Sequence, residues 1–304
     1  MTSPVIGLAL GGGGARGMAH IGVLNVLERH NIPIHCIAGT SIGALVGAGY
    51  SLHPDAAQLH TRITEFIHSP KFQKAGLSRF TRKEPAENFF GQVAKYVKQR
   101  IVINLAHSKL SVVSSERLYK IISFTLENRN IEQTEIPLAI VASDLFSGEA
   151  KTFTRGSIRK AVLASASIPG FLPPVTYNGH YLVDGAVTEP IPVRAAHELG
   201  ANIIIAVDVG QDVLATQHAT KNIVDLMFRT TSITAGNLRN LLLEKADFVI
   251  RPDVGDIHWA DFSQFDRLVE LGEQACERVV ARITEAYKQR RSLVYRLTHR
   301  ENQS

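Results

Sequence analysis

LALGGGGARGMAHIGVL, residues 8 to 24, is the stretch on which the reading of this chain turns. An apolar run over Val5–Leu10 ends in four glycines. Ile21, Leu24 and Leu27 then recur at helical spacing with Val23 beside them, which predicts strand, glycine turn and a helix over Met18–Arg29. Gly12, Gly14 and Gly17 match the Gly-x-Gly-x-x-Gly pattern of a dinucleotide-binding turn. The glycines could therefore hold a dinucleotide, a phosphate or a reaction intermediate, and the residues further along discriminate among these.

A dinucleotide site needs an acidic residue about 20 positions on, at the end of the second strand, to bind the ribose. The second predicted strand, Ile34–Ala38, runs instead into Gly39-Thr40-Ser41, and Glu28, the acid of that interval, belongs to the helix. A Walker-type phosphate loop fails as well, because no Gly-Lys-Ser or Gly-Lys-Thr follows the glycines.

In place of the acid stands Gly39-Thr40-Ser41-Ile42-Gly43, a Gly-x-Ser-x-Gly predicted as a tight turn before a helix of small residues over Ala44–Tyr50. Glycines on either side of a serine permit the sharp strand-to-helix turn that lifts a hydroxyl out at the carboxyl end of a sheet. The helix N-terminus that follows favours developing negative charge. A plain βα turn with a capping serine is the other reading of the same residues.

A serine that attacks a carbonyl creates an oxyanion, and that charge needs donors aimed where it forms. Consecutive glycines let backbone N–H groups converge without Cβ obstruction, and in a parallel sheet the turns after the first two strands open at one edge. Gly11–Gly14 are accordingly read as the cradle of a tetrahedral intermediate. Arg16 and Gly17 begin the helix behind that loop; Arg16 reads either as a brace or surface residue or as a contact to a substrate phosphate. For the base, Tyr181-Leu182-Val183-Asp184-Gly185-Ala186 puts an acid at the end of an apolar strand, followed by small residues that permit close approach. Asp184 can there take the serine proton with no histidine between, although Asp-Gly is also a common turn initiator. His197, in a predicted helix, and His258, beside Trp259, have no turn context and are read as ordinary surface or packed histidines.

The chain has 304 residues, 45% hydrophobic and 20% charged, enough for a sizeable core without disulfide or metal. One large domain, or one with an insertion, is expected. Cys36 and Cys276 lie far apart among apolar neighbours, which favours buried thiols in a reducing compartment over a bridge or a zinc site. Met1 to Pro4 carry no basic residue and no apolar run approaches the ~18 residues of a membrane span, so the expectation is a cytoplasmic protein whose membrane contact, if any, is peripheral.

The net charge of +5 is local: residues 71–100 hold eight basic and two acidic residues, and the remainder is nearly balanced at 25 and 26. That segment reads as a solvated surface or as a patch for an anionic lipid or acidic partner, and no nucleic-acid motif accompanies it. Within it Phe89, Phe90, Val93, Tyr96 and Val97 fit one helix face, either a lid or docking helix or a plain packed one. Apolar strands are further predicted at Ile136–Ala142 and Ile203–Val207, and strands separated by helical stretches imply an α/β fold with a largely parallel sheet covered on both faces. The tail from Lys288 is basic, polar and expected to fray.

Taken in order, Gly12-Gly13-Gly14-Ala15-Arg16-Gly17, Gly39-Thr40-Ser41-Ile42-Gly43 and Asp184-Gly185-Ala186 resemble the patatin-like phospholipases, and more closely the bacterial proteins similar to neuropathy target esterase. Ala164-Ser165-Ala166-Ser167-Ile168-Pro169-Gly170, with Pro173-Pro174-Val175, and Ala246-Asp247-Phe248-Val249-Ile250-Arg251-Pro252 add to the likeness. It covers most of residues 5–280, weakly at 70–125 and not the tail.

The resemblance implies a three-layer α/β/α sandwich with a mostly parallel central sheet. An acyl-hydrolase domain is then expected at 1–285, with a basic insertion or lid-like segment at about 70–110 that matches no family motif, and a basic tail at 286–304. The implied activity is that of an esterase, lysophospholipase or phospholipase A, on an acyl ester or phospholipid, with no metal or cofactor. Ser41 is then the nucleophile, Asp184 the base, and Gly12, Gly13 and Gly14 the oxyanion hole, supported by Arg16, Gly39, Gly43 and Gly185. Ala186 stands where many members carry a second glycine, a small change that leaves the dyad assignment intact. A catalytically idle regulatory or scaffold protein on the same fold is the competing reading.

Overall fold

The computed structural model describes residues 4–70, 114–210, 223–255 and 257–292. The basic stretch 71–100, the helix read at 89–97 and the tail beyond residue 292 lie outside the described residues.

One sheet collects eight strands, β1 (Ile6–Leu10), β2 (Cys36–Thr40), β3 (Leu138–Asp144), β4 (Ala150–Phe153), β5 (Val175–Tyr177), β6 (His180–Asp184), β7 (Ile203–Val207) and β8 (Phe248–Ile250). The parallel pairs β8–β7, β7–β1, β1–β2 and β2–β3 make its centre, and β4, β5 and β6 join it antiparallel. The described helices are α1 (Ala19–Arg29), α2 (Ile42–Leu52), α3 (Ala56–His68), α4 (Ser115–Thr125), α5 (Ile158–Ser165), α6 (Val193–Glu198), α7 (Ile223–Leu243) and α8 (Phe265–Arg291).

The pleat sorts the strand residues between two faces. Ile6, Leu8, Leu10, Ile37, Ile140 and Ile205 belong to the larger core, with α1, α2, α3, α5 and α8. Ala9, Ala38, Ala139 and Ala206 belong to the second, where their small size admits α6 through Ala195 and Ala196. The result is the expected three-layer α/β/α sandwich, with the central strands buried on both sides as a parallel sheet requires. Behind the glycine loop, α8 crosses α1 at Gly22 and Gly272: a Cβ at Gly22 would lie 1.9 Å from Val269 O, and one at Gly272 2.0 Å from Ala19 O. Only paired glycines let the two backbones approach so closely. The helix runs on through Arg291, past the boundary expected at 285, and Arg290 ties its end to Asp247 (2.9 Å) and to the Asn202 carbonyl.

Three boundaries differ from the sequence reading in ways that shape the site. The first turn after the glycines is a 3-10 helix, Gly14–Met18, and α1 proper starts at Ala19. The second strand runs two residues later than expected, because Gly7 to Leu10 of β1 pair with Cys36 to Gly39, and Val141 of β3 pairs with Thr40. The turn predicted over Gly39–Gly43 therefore contracts to one residue, Ser41, with α2 starting at Ile42.

Beyond these boundaries, the sheet itself is split. Ile140 and Val141 of β3 pair with both β2 and β4, while Ala142 and Ser143 pair with both β4 and β6. A strand has two edges, so with β4 on one, β2 and β6 share the other. They meet end to end, Thr40 opposite Val141 and Asp184 opposite the next residue, Ala142. The antiparallel course of β6, which apolar patterning does not encode, is what brings Asp184 to the end of β2.

Candidate active site

Ser41 occupies the turn with φ 56° and ψ −120°, a sparsely populated conformation for a residue with a Cβ. It persists because each of its polar groups is held. Its N–H donates to Ser165 Oγ at 2.8 Å, and its carbonyl accepts from Ala44 and Leu45 N–H at 3.0 and 3.2 Å. Its hydroxyl donates to Asp184 Oδ2 at 2.7 Å. A Cβ at Gly43 would lie 2.1 Å from Leu10 O, and one at Gly39 2.5 Å from Ala44 Cα, so the flanking glycines serve close packing of α2 on the strands.

Asp184 is as firmly fixed. Oδ1 accepts from Ala186 N–H (2.8 Å), its own N–H donates to Ser167 O (2.9 Å), and its carbonyl accepts from Ser143 Oγ (2.9 Å). At 2% exposed it is almost cut off from water. Burial is the dominant influence and raises its carboxyl to about 6, against the opposing pull of the hydrogen bonds from Ser41 and Ala186. Gly185 permits the close fit, since a Cβ there would fall 2.2 Å from Val141 O. Ser165 ties the Ser41 turn to β3: it accepts from Ser41 N–H and donates to Val141 O at 2.5 Å.

The glycine loop passes beside the serine, and a Cβ on Gly12 would sit 3.3 Å from Ser41 Cβ. Gly11 N–H donates to Val207 O and Gly12 N–H to Pro190 O, both at 3.1 Å. The N–H groups of Gly13 and Gly14 have no acceptor among the described residues. Gly14 adopts φ +61°, tucked under the Trp259 carbonyl, which also accepts from Ala15 N–H at 2.6 Å. Arg16, left open by the sequence, is wholly buried, and its Nε donates to Ile257 O at 2.6 Å; it braces the segment that carries Trp259. His197 sits on α6, and His258 hydrogen-bonds within its own turn to Ala260 N–H, so neither contacts the pair. Among the described residues no group of three or more His, Cys, Asp or Glu is arranged to hold a metal ion.

Ser41 and Gly14 form part of the wall of an apolar space of about 900 Å³, part of it open to solvent. Leu45, Phe66, Ile122, Ile168, Phe171 and Trp259 line it, and no charged side chain does so among the described residues. Trp259 stands edge-on to Phe171 with ring centroids 5.5 Å apart. The arrangement suits a nucleophile at the head of a slot for a hydrocarbon chain. No helix among the described residues is long and apolar enough to cross a membrane.

The structure brings together Ser41, Asp184 and the glycine loop that the sequence singles out; Ser165, Ser143, His20 and Trp259, which adjoin them, have no role in the sequence reading. In the sequence, the segment Ala164–Gly170 reads only as part of the likeness. The partners of Ser165 are backbone atoms of the Ser41 turn and of β3, and no residue pattern announces those.

The patatin-like phospholipase family model matches residues 8–197, more than half of the chain. Patatin-like phospholipase domain-containing protein 7 of Rattus norvegicus is 27% identical over 302 residues, covering 90% of this chain and 20% of its own length. Lysophospholipase NTE1 of Debaryomyces hansenii is 26% identical, covering 93% of this chain and 18% of its own length. An uncharacterized NTE family protein of Mycobacterium bovis is 32% identical over 239 residues, 76% of this chain and 58% of that protein. The chain thus spans about a fifth of the rat and yeast relatives and somewhat over half of the mycobacterial one. The matched interval contains the glycine loop, the Ser41 turn and Asp184, and the chain belongs to the patatin-like phospholipase family.

Proposed function

We propose that the chain is a serine acyl hydrolase that cleaves lipid acyl esters through a Ser41–Asp184 dyad. The observation that carries this reading is the 2.7 Å hydrogen bond from Ser41 Oγ to Asp184 Oδ2, between two buried groups at the wall of an apolar slot.

Ser41 Oγ attacks the ester carbonyl carbon while its proton passes to Asp184 Oδ2. The carbonyl π electrons move to oxygen, and the Gly13 and Gly14 N–H groups donate to the oxyanion, with Gly12 fixing the loop beside the serine. Collapse breaks the ester C–O bond, and Asp184 returns its proton to the leaving alcohol, leaving the acyl group on Ser41. Water then gives a proton to Asp184 and attacks the acyl carbon, and collapse releases the acid and restores the Ser41 hydroxyl. A carboxyl raised to about 6 is a stronger base than an ordinary aspartate yet still ionised at neutral pH, which suits both half-reactions. The apolar slot holds the acyl chain and keeps bulk water from the acyl-enzyme.

Treatment with a fluorophosphonate and measurement of intact mass tests the reading. One adduct on the native chain and none on Ser41→Ala, together with turnover of a soluble acyl ester, are the expected results. A folded native chain that takes no adduct and turns over no ester favours the idle scaffold and defeats the proposal.

A further inference from the structure

We infer that His20 is a positioning residue that pins the Gly11 carbonyl so that the glycine loop presents its N–H groups beside Ser41; this rests on the acyl-hydrolase reading above. His20 is the second residue of α1 and has no exposed surface. Its Nε2 lies 2.9 Å from Gly11 O. A carbonyl only accepts, so the imidazole carries its proton on Nε2 and donates it. Nδ1 is buried with no partner. A histidine kept only for core packing would be replaced by an apolar residue at less cost, since a bare buried nitrogen forfeits its hydration. This one commits its single donor to the loop.

The geometry explains what the contact fixes. The peptide plane between Gly11 and Gly12 is held at both ends, its carbonyl by His20 and its N–H by Pro190 O at 3.1 Å. The direction in which the chain leaves that plane toward Gly13 and Gly14 is thereby set. Four glycines have no side chains of their own to restrict the loop. Among the described residues His20 supplies the side-chain hydrogen bond to their backbone. The same carbonyl packs on the opposite side against the first turn of α2, where a Cβ on Gly43 would lie 2.8 Å from Gly11 O. His20 thus locks the donor loop against the helix whose N-terminus holds Ser41. Burial pushes the imidazole pKa down to about 4, so the ring is neutral wherever Asp184 is ionised.

The test compares the native chain with His20→Phe, which fills the volume without a donor, and His20→Gln, which restores an N–H. Folding is checked by thermal melting. Amide exchange at Gly12–Gly14 is followed by NMR, kcat and KM are measured on a soluble acyl ester, and affinity is measured for a trifluoromethyl ketone that forms a tetrahedral oxyanion. His20→Phe is expected to lower kcat by roughly 10- to 100-fold with KM within about threefold, because donor placement acts on the transition state. Ketone affinity should fall in step with kcat/KM, loop amides should exchange about tenfold faster, and His20→Gln should regain part of each loss. A folded His20→Phe with kcat and loop exchange within about twofold of the native chain overturns the inference. If both variants fail to fold, nitrogen chemical shifts of native His20 decide: an Nε2–H tautomer supports it and an Nδ1–H tautomer overturns it. A native chain without hydrolysis would defeat the proposed function instead, and loop exchange in His20→Phe would still decide the role of His20.

Discussion

The turns after β1 and β2 leave one edge of two neighbouring parallel strands, yet they solve opposite problems. After β1 the chain places four glycines and offers backbone N–H groups, with its orientation imposed from outside by Pro190 O, His20 and the Trp259 carbonyl. After β2 it compresses the turn into one non-glycine residue at positive φ and offers a side chain, with glycine moved to the flanks at 39 and 43. Glycine therefore means bare N–H groups as well as packing in the first turn, and packing alone in the second. Strain is tolerated where the side chain is the product, and absent side chains are tolerated where the backbone is.

The sharpest way to break this contrast is to remove the side chain that the second turn supplies, or the β6 carboxylate that it bonds. Ser41→Ala and Asp184→Asn should each lower kcat by about 10³-fold or more, as loss of a dyad member does in serine hydrolases. Near-normal turnover in either, measured on a soluble acyl ester, would mean that the turn is structural. Next in size is Gly14→Ala, whose Cβ would lie 2.3 Å from Trp259 O at φ +61°. It should cost about 2 kcal/mol or more in chemical denaturation, and at least about tenfold in kcat, because both the left-handed backbone and the contact are lost. An unchanged Gly14→Ala would remove the claim that the first turn needs bare backbone.

Asp184 sharpens the comparison through pH. Its carboxyl rises from 3.8 to about 6 on folding, so the folded chain binds that proton more tightly than the unfolded one. The resulting stabilisation is fully present below about pH 4 and is lost as pH rises through about 6; ionised Asp184 then costs the fold up to about 3 kcal/mol. Asp184→Asn should accordingly melt above the native chain at pH 8, with the gap closing toward pH 4. Equal melting temperatures at pH 8 would show that the carboxylate is not penalised by burial. The smallest effect concerns strain: Ser41→Gly should be more stable than Ser41→Ala by about 1 kcal/mol, because glycine accepts φ 56° without cost. Alanine as stable as glycine would show the turn to be relaxed.

Much of this was legible in the sequence for identifiable reasons. Val5–Leu10 and Ile203–Val207 read as strands because buried parallel strands are continuous apolar runs, and the structure has strands at Ile6–Leu10 and Ile203–Val207. The Ser41 turn was visible because its close packing demands glycines at 39 and 43, and the acid at 184 because it ends an apolar strand and precedes small residues. The end of β2 lies two residues beyond the expected one, since pairing with β1 at Gly39 and with β3 at Thr40, rather than local composition, holds those residues in the sheet. The antiparallel course of β6 and the bridging Ser165 were not legible at all. They depend on which edge of β3 is free and on backbone atoms of residues 41 and 141 brought to the Ser165 hydroxyl. Trp259 and Ile257 close over the glycine loop from beyond residue 197, where the family model ends.

The measurement that bears most directly on the dyad is the pH dependence of the rate at which a neutral fluorophosphonate modifies Ser41. Direct proton transfer to Asp184 predicts a rate that rises through one ionisation near pH 6 and stays level to pH 8, with the limb abolished in Asp184→Asn. A rate independent of pH across that range, or a limb that survives in Asp184→Asn, would contradict it and put the proton on another group.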